Sequence, residues 1–210
     1  LEQALIDFTN NISANHPYLA YAFFFISAVL QIMFPPYPGD TVLIIEGYLS
    51  SKGFFNFFGI TVNAIIATFL SCLFLYHTAY KMGDKIYDIP VIKRYFSKDK
   101  LLMLNSWFLK YGSFAILISK FIPGIGSFVM IAAGTFKASR ISAYIAMAVA
   151  AILHNTMLVL LGRAAGNNMD LIKSMLHRYN VAVAVILIIA AGIYIYVKLS
   201  KKTKRQQGES

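Results

Sequence analysis

Charge is what this sequence lacks first. Only 13% of its 210 residues are Asp, Glu, Lys or Arg, against about 25% in soluble domains. Apolar residues make up 58%, the mean hydropathy is +0.63, and they gather in blocks rather than alternating. Such a chain reads as an integral membrane protein, not a soluble fold. Acids are scarcer than bases, 9 against 19, for a net charge of +10. No basic domain stands outside the apolar blocks. The excess therefore points to membrane orientation and anionic headgroups rather than to nucleic acid. The one cysteine, Cys72, excludes an internal disulfide. His77 and His154 are isolated in apolar blocks, without a partner at ligand spacing, and read as packed or interhelically bonded residues. No Ser/His/Asp nucleophile set, His-rich cluster or Arg–His phosphatase pattern is present, so we expect no enzyme, no metal and no cofactor. The first 16 residues lack a basic start followed by an apolar core. They read as a short interfacial helix, with Leu5, Ile6, Phe8 and Ile12 toward one side, rather than as a signal peptide.

What is present is a set of apolar blocks. Tyr18 to Phe34, Phe54 to Met82, Ile141 to Leu161 and Val181 to Val197 are long enough to span, the first being close to the minimum of about 17 residues. Two further apolar stretches are broken. "FPPYPGD" interrupts residues 34–53 with Pro35, Pro36, Pro38 and Gly39, and "FIPGIG" interrupts residues 112–135 with Pro123, Gly124 and Gly126. Proline supplies no N–H and stops a helix, and glycine permits the turn. Residues 81–110 form the main hydrophilic loop, with an amphipathic helix expected around "DKLLMLNSWFLKYG". The expected fold is an all-α membrane protein: about four transmembrane helices plus two oppositely oriented re-entrant helical hairpins, an inverted repeat. We read it as one membrane domain over 1–210. Residues 15–165 form the core, and 166–210 form a C-terminal helix and a basic tail.

Counting bases gives orientation. If both broken stretches dip into the bilayer and return, loop 81–110, Lys137, Arg140 and the tail share one side with fourteen bases. The other side holds only Lys52, Arg163, Lys173 and Arg178. The basic side is the cytoplasm by the positive-inside rule, with both termini there. If both stretches crossed instead, the loop and tail would stay cytoplasmic, but the N-terminus, Lys137 and Arg140 would move outside.

The two broken stretches repeat one plan. "PGDTVLIIEG" and "PGIGSFVMIAAG" each run from a Pro-Gly break through a short apolar segment to a glycine, Gly47 or Gly134. Paired interruptions of this kind mark transport sites. A surface loop between helices is the plainer reading of each. The sharper one is a helix tip inside the protein, its free N–H groups facing a cavity that suits a phosphate.

"QIMFPPYPGDTVLIIEGYLSSKG" together with "YGSFAILISKFIPGIGSFVMIAAG" resembles the DedA family, also called the VTT or SNARE-associated membrane-protein family. The resemblance covers roughly residues 15–165. It implies two inverted re-entrant elements meeting in the membrane. It also implies lipid translocation: bacterial members recycle undecaprenyl phosphate or flip phospholipid, some coupled to proton or sodium gradients. The sequence departs from the family pattern at four places. Gln31 stands where the first acid is usual, while Asp40 keeps the second. Lys120 and Gly126 stand at the two usual arginines, and Glu46 replaces an alanine. Lysine keeps the cation but loses the bidentate fork.

The expected headgroup site is Lys120, Arg140, Gly124 and Gly126, with Asp40 and Glu46 as coupling carboxylates. Each has a plainer role beside it. Asp40 follows Pro-Gly and suits a helix N-cap. Glu46 and Lys120 could snorkel to the surface, and Arg140 could anchor the start of a span. The expected function is a flippase or scramblase for phosphate-bearing lipids in a bacterial cell membrane. A proton- or cation-coupled transporter of a small solute is the alternative. Membrane lipids are the expected partners, and a homo-oligomer is left open.

Overall fold

The computed structural model describes residues 17–34, 37–89, 106, 108, 110–122, 125–167 and 174. The chain divides into two compact units, Leu1–Gly166 and Asn167–Ser210. The expected N-terminal interfacial helix, most of the hydrophilic loop, the span Val181 to Val197 and the basic tail lie outside the described residues.

Every regular element described is helical. In chain order these are α1 (Pro17–Met33), α2 (Gly39–Ser51), α3 (Phe57–Met82), a 3-10 turn (Gly83–Asp88), α4 (Phe114–Ser119), α5 (Gly126–Thr135) and α6 (Arg140–Ala164). α3, continued by its 3-10 turn, and α6 are long and apolar enough to cross a membrane. α3 begins three residues inside its apolar block. There Asn56 Oδ1 accepts the Gly59 N–H at 3.0 Å, while Phe54 and Phe55 stay in the preceding bend. It ends at Gly83, whose φ of 55° is costly for any residue with a Cβ.

The long pair runs antiparallel. Arg140, at the start of α6, stacks over the Tyr80 ring near the end of α3, 4.7 Å from its centroid. Arg163, at the other end, stacks over Phe57 at 4.8 Å. At 1.5 Å per residue these helices are about 37–39 Å long, enough for a bilayer core of about 30 Å.

The first break is larger than the sequence suggests. Residues 34–53 do not descend and return by themselves: Gly39 to Ser51 is one helix. The other arm is α1. Gln31 meets Asp40 at the tip, and the Tyr21 and Phe24 rings meet Phe55 at the base, 5.7 and 5.5 Å away. The antiparallel hairpin is therefore α1 with α2. α1 reads as a complete span in the sequence because only Ser27 and Gln31 interrupt its apolar run. The second hairpin is α4 with α5, its base closed by Phe108 on Phe136 at 6.1 Å.

The hairpins start from opposite ends of α3. The first is tied to its beginning, where Asn63 Nδ2 donates to the Tyr21 carbonyl at 3.1 Å. The second is tied near its end, where Tyr76 Oη donates to the Ala138 carbonyl at 2.6 Å. Each short helix after a break packs chiefly on the long helix of the other half, α2 on α6 and α5 on α3. The repeat glycines allow this. A Cβ on Gly47 would strike the Val159 carbonyl, and one on Gly134 the Tyr76 carbonyl. Gly162 answers from α6, with no room for a Cβ against the Ile44 carbonyl. The apolar packing falls into two groups. One lies around Tyr76, Val129 and Met147, the other around Phe24, Leu43, Ile60 and Val159.

Candidate functional site

The site lies where the two tips meet. At the first tip the chain turns sharply, Tyr37 N–H donating to the Phe34 carbonyl at 2.9 Å. Tyr37 Oη then donates back to Ser27 Oγ on α1 at 2.9 Å. Gly39 opens α2 under the Gln31 side chain, which would lie 2.5 Å from an added Cβ. At the second tip, Phe121 and Ile122 N–H groups donate to the Ile118 and Ser119 carbonyls at 3.1 and 3.2 Å. Ser127, in the first turn of α5, donates to the Ile32 carbonyl on α1 at 2.6 Å. That bond joins the hairpins directly, and it satisfies a carbonyl in the last turn of α1.

Asp40 is not an N-cap. It sits in the first turn of α2, one residue inside, and the turn has no side-chain cap. A carboxylate there is favoured by the helix dipole, while its side chain faces other elements. Gln31 Nε2 donates to Asp40 Oδ1. His154 Nε2, from α6, lies 3.7 Å from the same oxygen. His154 is buried and packs its ring edge-on against Phe121, centroids 5.4 Å apart. Next to it, Asn155 Nδ2 donates to the Ala64 carbonyl at 3.0 Å and to Thr68 Oγ1 at 2.9 Å, both on α3. Lys120, half-buried at the end of α4, is within electrostatic reach of Asp40, His154 and Cys72. The tips thus gather one lysine, one aspartate and one histidine, with Gln31 and Asn155 as neutral anchors.

The other expected site residues are spread out. Glu46 is 1% exposed, and its Oε2 has no hydrogen-bond partner among the described residues. It is six residues beyond Asp40, hence about 9 Å along α2 and 120° around it. The two carboxylates do not share a face. Arg140 is exposed at the far end of α6 from His154, about 21 Å along the axis. The structure seats it on Tyr80 and does not bring it to the tips. Gly126 opens α5 facing space, where an added Cβ would meet only the Ser119 carbonyl, at 3.7 Å. Pro38 precedes α2 and is exposed, whereas Pro35, Pro36, Pro123 and Gly124 lie outside the described residues.

His154 is the residue sequence reasoning undervalued. Read as packed or interhelically bonded, it faces a carboxylate on α2, and Asn155 makes the hydrogen bonds to α3. His77 does bond between helices, its Nε2 lying 2.7 Å from Tyr144 Oη. The available signal for His154 was an adjacent His-Asn pair inside an apolar span, where polar side chains are costly.

Two opposed helical hairpins meeting over a partly buried charged cluster, braced by two membrane-length helices, define a helical membrane protein built as a paired repeat. The chain belongs to the VTT domain family, the DedA family, whose match covers residues 36–164, from the first break to the end of α6. It is 28% identical to undecaprenyl phosphate transporter A of Staphylococcus aureus, over 98% of this chain and 99% of that protein. It is 29% identical to an alkaline phosphatase-like protein of Lactococcus lactis subsp. lactis, over 81% of this chain and 83% of the other. With undecaprenyl phosphate transporter A of Bacillus subtilis the identity is 23%, covering 86% and 89%. No solved structure matches.

Proposed function

We propose that this protein is a lipid transporter of a bacterial cell membrane, carrying phosphate-bearing lipids such as undecaprenyl phosphate or phospholipid between leaflets. The observation that carries this reading is the junction of the two tips, with Lys120 among Asp40 and His154 midway between the ends of α3 and α6. The relatives named undecaprenyl phosphate transporter support it by matching nearly the whole chain. In this reading the hairpins are re-entrant, one from each face. With α1 as an arm of the first, three spans remain, which keep loop 81–110 and the tail in the cytoplasm and move the N-terminus outside, whereas α1 as a fourth span would keep both termini in the cytoplasm. The headgroup enters between the tips while its acyl chains stay in lipid. Lys120 offsets the desolvation of the phosphate, and the backbone at Gly124 and Gly126 completes the seat. Arg140 attracts headgroups at the cytoplasmic surface. Asp40 and Glu46 carry the coupling proton or cation.

The alternative is a coupled transporter of a small solute. It is favoured by Glu46, a buried carboxylate with an unpartnered oxygen off the tip cluster. We read the chain as a transporter and not as an enzyme, the phosphatase-like names of some relatives notwithstanding. The test is reconstitution in proteoliposomes with fluorescent phosphate lipids, with and without a pH gradient. Lipid movement is expected without release of inorganic phosphate. Ion or solute flux without lipid movement selects the alternative, and phosphate release rejects transport alone.

A further inference from the structure

Asn155 is buried, and both protons of its amide are held by α3, at the Ala64 carbonyl and Thr68 Oγ1. Its oxygen is therefore the atom turned to His154, 3.4 Å from Nδ1. An amide oxygen only accepts, so Nδ1 carries the ring proton in neutral His154. Nε2 is left with its lone pair directed to the Asp40 region, 3.7 Å from Oδ1. Two acceptors face each other across a buried gap, and one proton turns their repulsion into an ion pair. The groups facing His154 are Asp40 from α2, Lys120 and Phe121 from the second tip, and Asn155 on its own helix. Gln31 neutralises no charge, Cys72 reaches the cluster only through Lys120, and Glu46 is on another face of α2. With His154 neutral, Lys120 and Asp40 cancel. With His154 protonated, the cluster carries one positive charge.

We infer that His154 is the charge switch of the tip site: protonated, it holds an anionic headgroup together with Lys120, and neutral, it lets that headgroup go. This rests on the lipid-phosphate reading above. It adds to that reading the residue that makes headgroup binding depend on pH, and Asn155 as the residue that aims its ring.

Hexyl sulfonate is the probe, because its charge is constant across the range and any pH dependence then belongs to the protein. Its binding to the full chain in neutral-lipid nanodiscs is measured by calorimetry. As the pH is lowered from about 8 through the protonation of His154, affinity should rise about tenfold, the effect of one added charge-assisted contact. His154→Gln should bind weakly at both ends, and His154→Lys tightly at both. In the parent protein labelled with ¹⁵N-histidine, the His154 resonance should move toward imidazolium when the probe is added at fixed pH. The inference is overturned if His154→Gln keeps the parent's rise, or if the probe leaves that resonance unmoved. The resonance decides the matter even where a variant fails to fold. Lipid movement with an unchanged His154→Gln profile rejects the switch alone. Switch-like sulfonate binding without lipid movement rejects the transport reading alone.

Discussion

Lys120 is held where a bare ammonium is useful and expensive, within electrostatic reach of an aspartate and a histidine at a hairpin tip. A charge-assisted hydrogen bond is worth about 1.5–3 kcal/mol, so Lys120→Gln should slow transport of phosphate lipids by tenfold or somewhat more, with expression near normal. Lys120→Arg should keep or raise it, since a guanidinium fork suits phosphate. Rates for several anionic lipids check both, and an unchanged rate in Lys120→Gln leaves the lysine as an interfacial anchor. The carboxylates should part company. Asp40 touches the histidine network and Glu46 does not. Asp40→Asn combined with His154→Gln should therefore be non-additive in the pH profile of transport, while Glu46→Gln combined with His154→Gln should add. Additivity in both pairs would mean that Asp40 and His154 do not act as one unit.

At the scale of elements, two kinds of glycine separate. Gly47 and Gly134 sit where a helix meets the backbone of a long helix, and Gly126 opens α5 with free space beside it. Gly47→Ala should cost about 1–3 kcal/mol through overpacking. It should lower the thermal midpoint in detergent. Gly126→Ala should be neutral or slightly stabilising, because the added Cβ meets nothing closer than 3.7 Å and alanine is a better helix former than glycine. Equal midpoints for the two variants would argue against the close packing of α2 on α6. The repeat was legible in the sequence because proline and glycine act locally, and both breaks could be read without knowing any contact. The partnering was not. That α2 lies on α6, more than a hundred residues away, depends on which glycines face which carbonyls. The pairing of α1 was hidden for a related reason: an apolar helix of about spanning length looks the same in sequence whether it crosses or forms a hairpin arm. The partner of His154 was not legible because one sequence carries no distances, and an isolated histidine in an apolar block is ordinary until a carboxylate is found across from it.

For the whole molecule, the arrangement requires two hairpin bases on opposite sides of the bilayer. Lys52 follows α2 and Lys137 follows α5, both exposed, at the two ends of the α3–α6 pair. Their sides follow from charge, since fourteen bases are expected with Lys137 and four with Lys52. The only cysteine, Cys72, is buried and can be replaced by Ser to clear the background. Lys52→Cys should then react with an impermeant maleimide on intact cells. Lys137→Cys should react only after the membrane is opened. Neither substitution touches the tips, so lipid transport should persist and certify that the labelled proteins are folded. If both cysteines react from the same side, α2 and α5 do not approach from opposite faces. The tips would then not form a midplane site reached in turn from each leaflet, and a headgroup bound at Lys120 would have no route across.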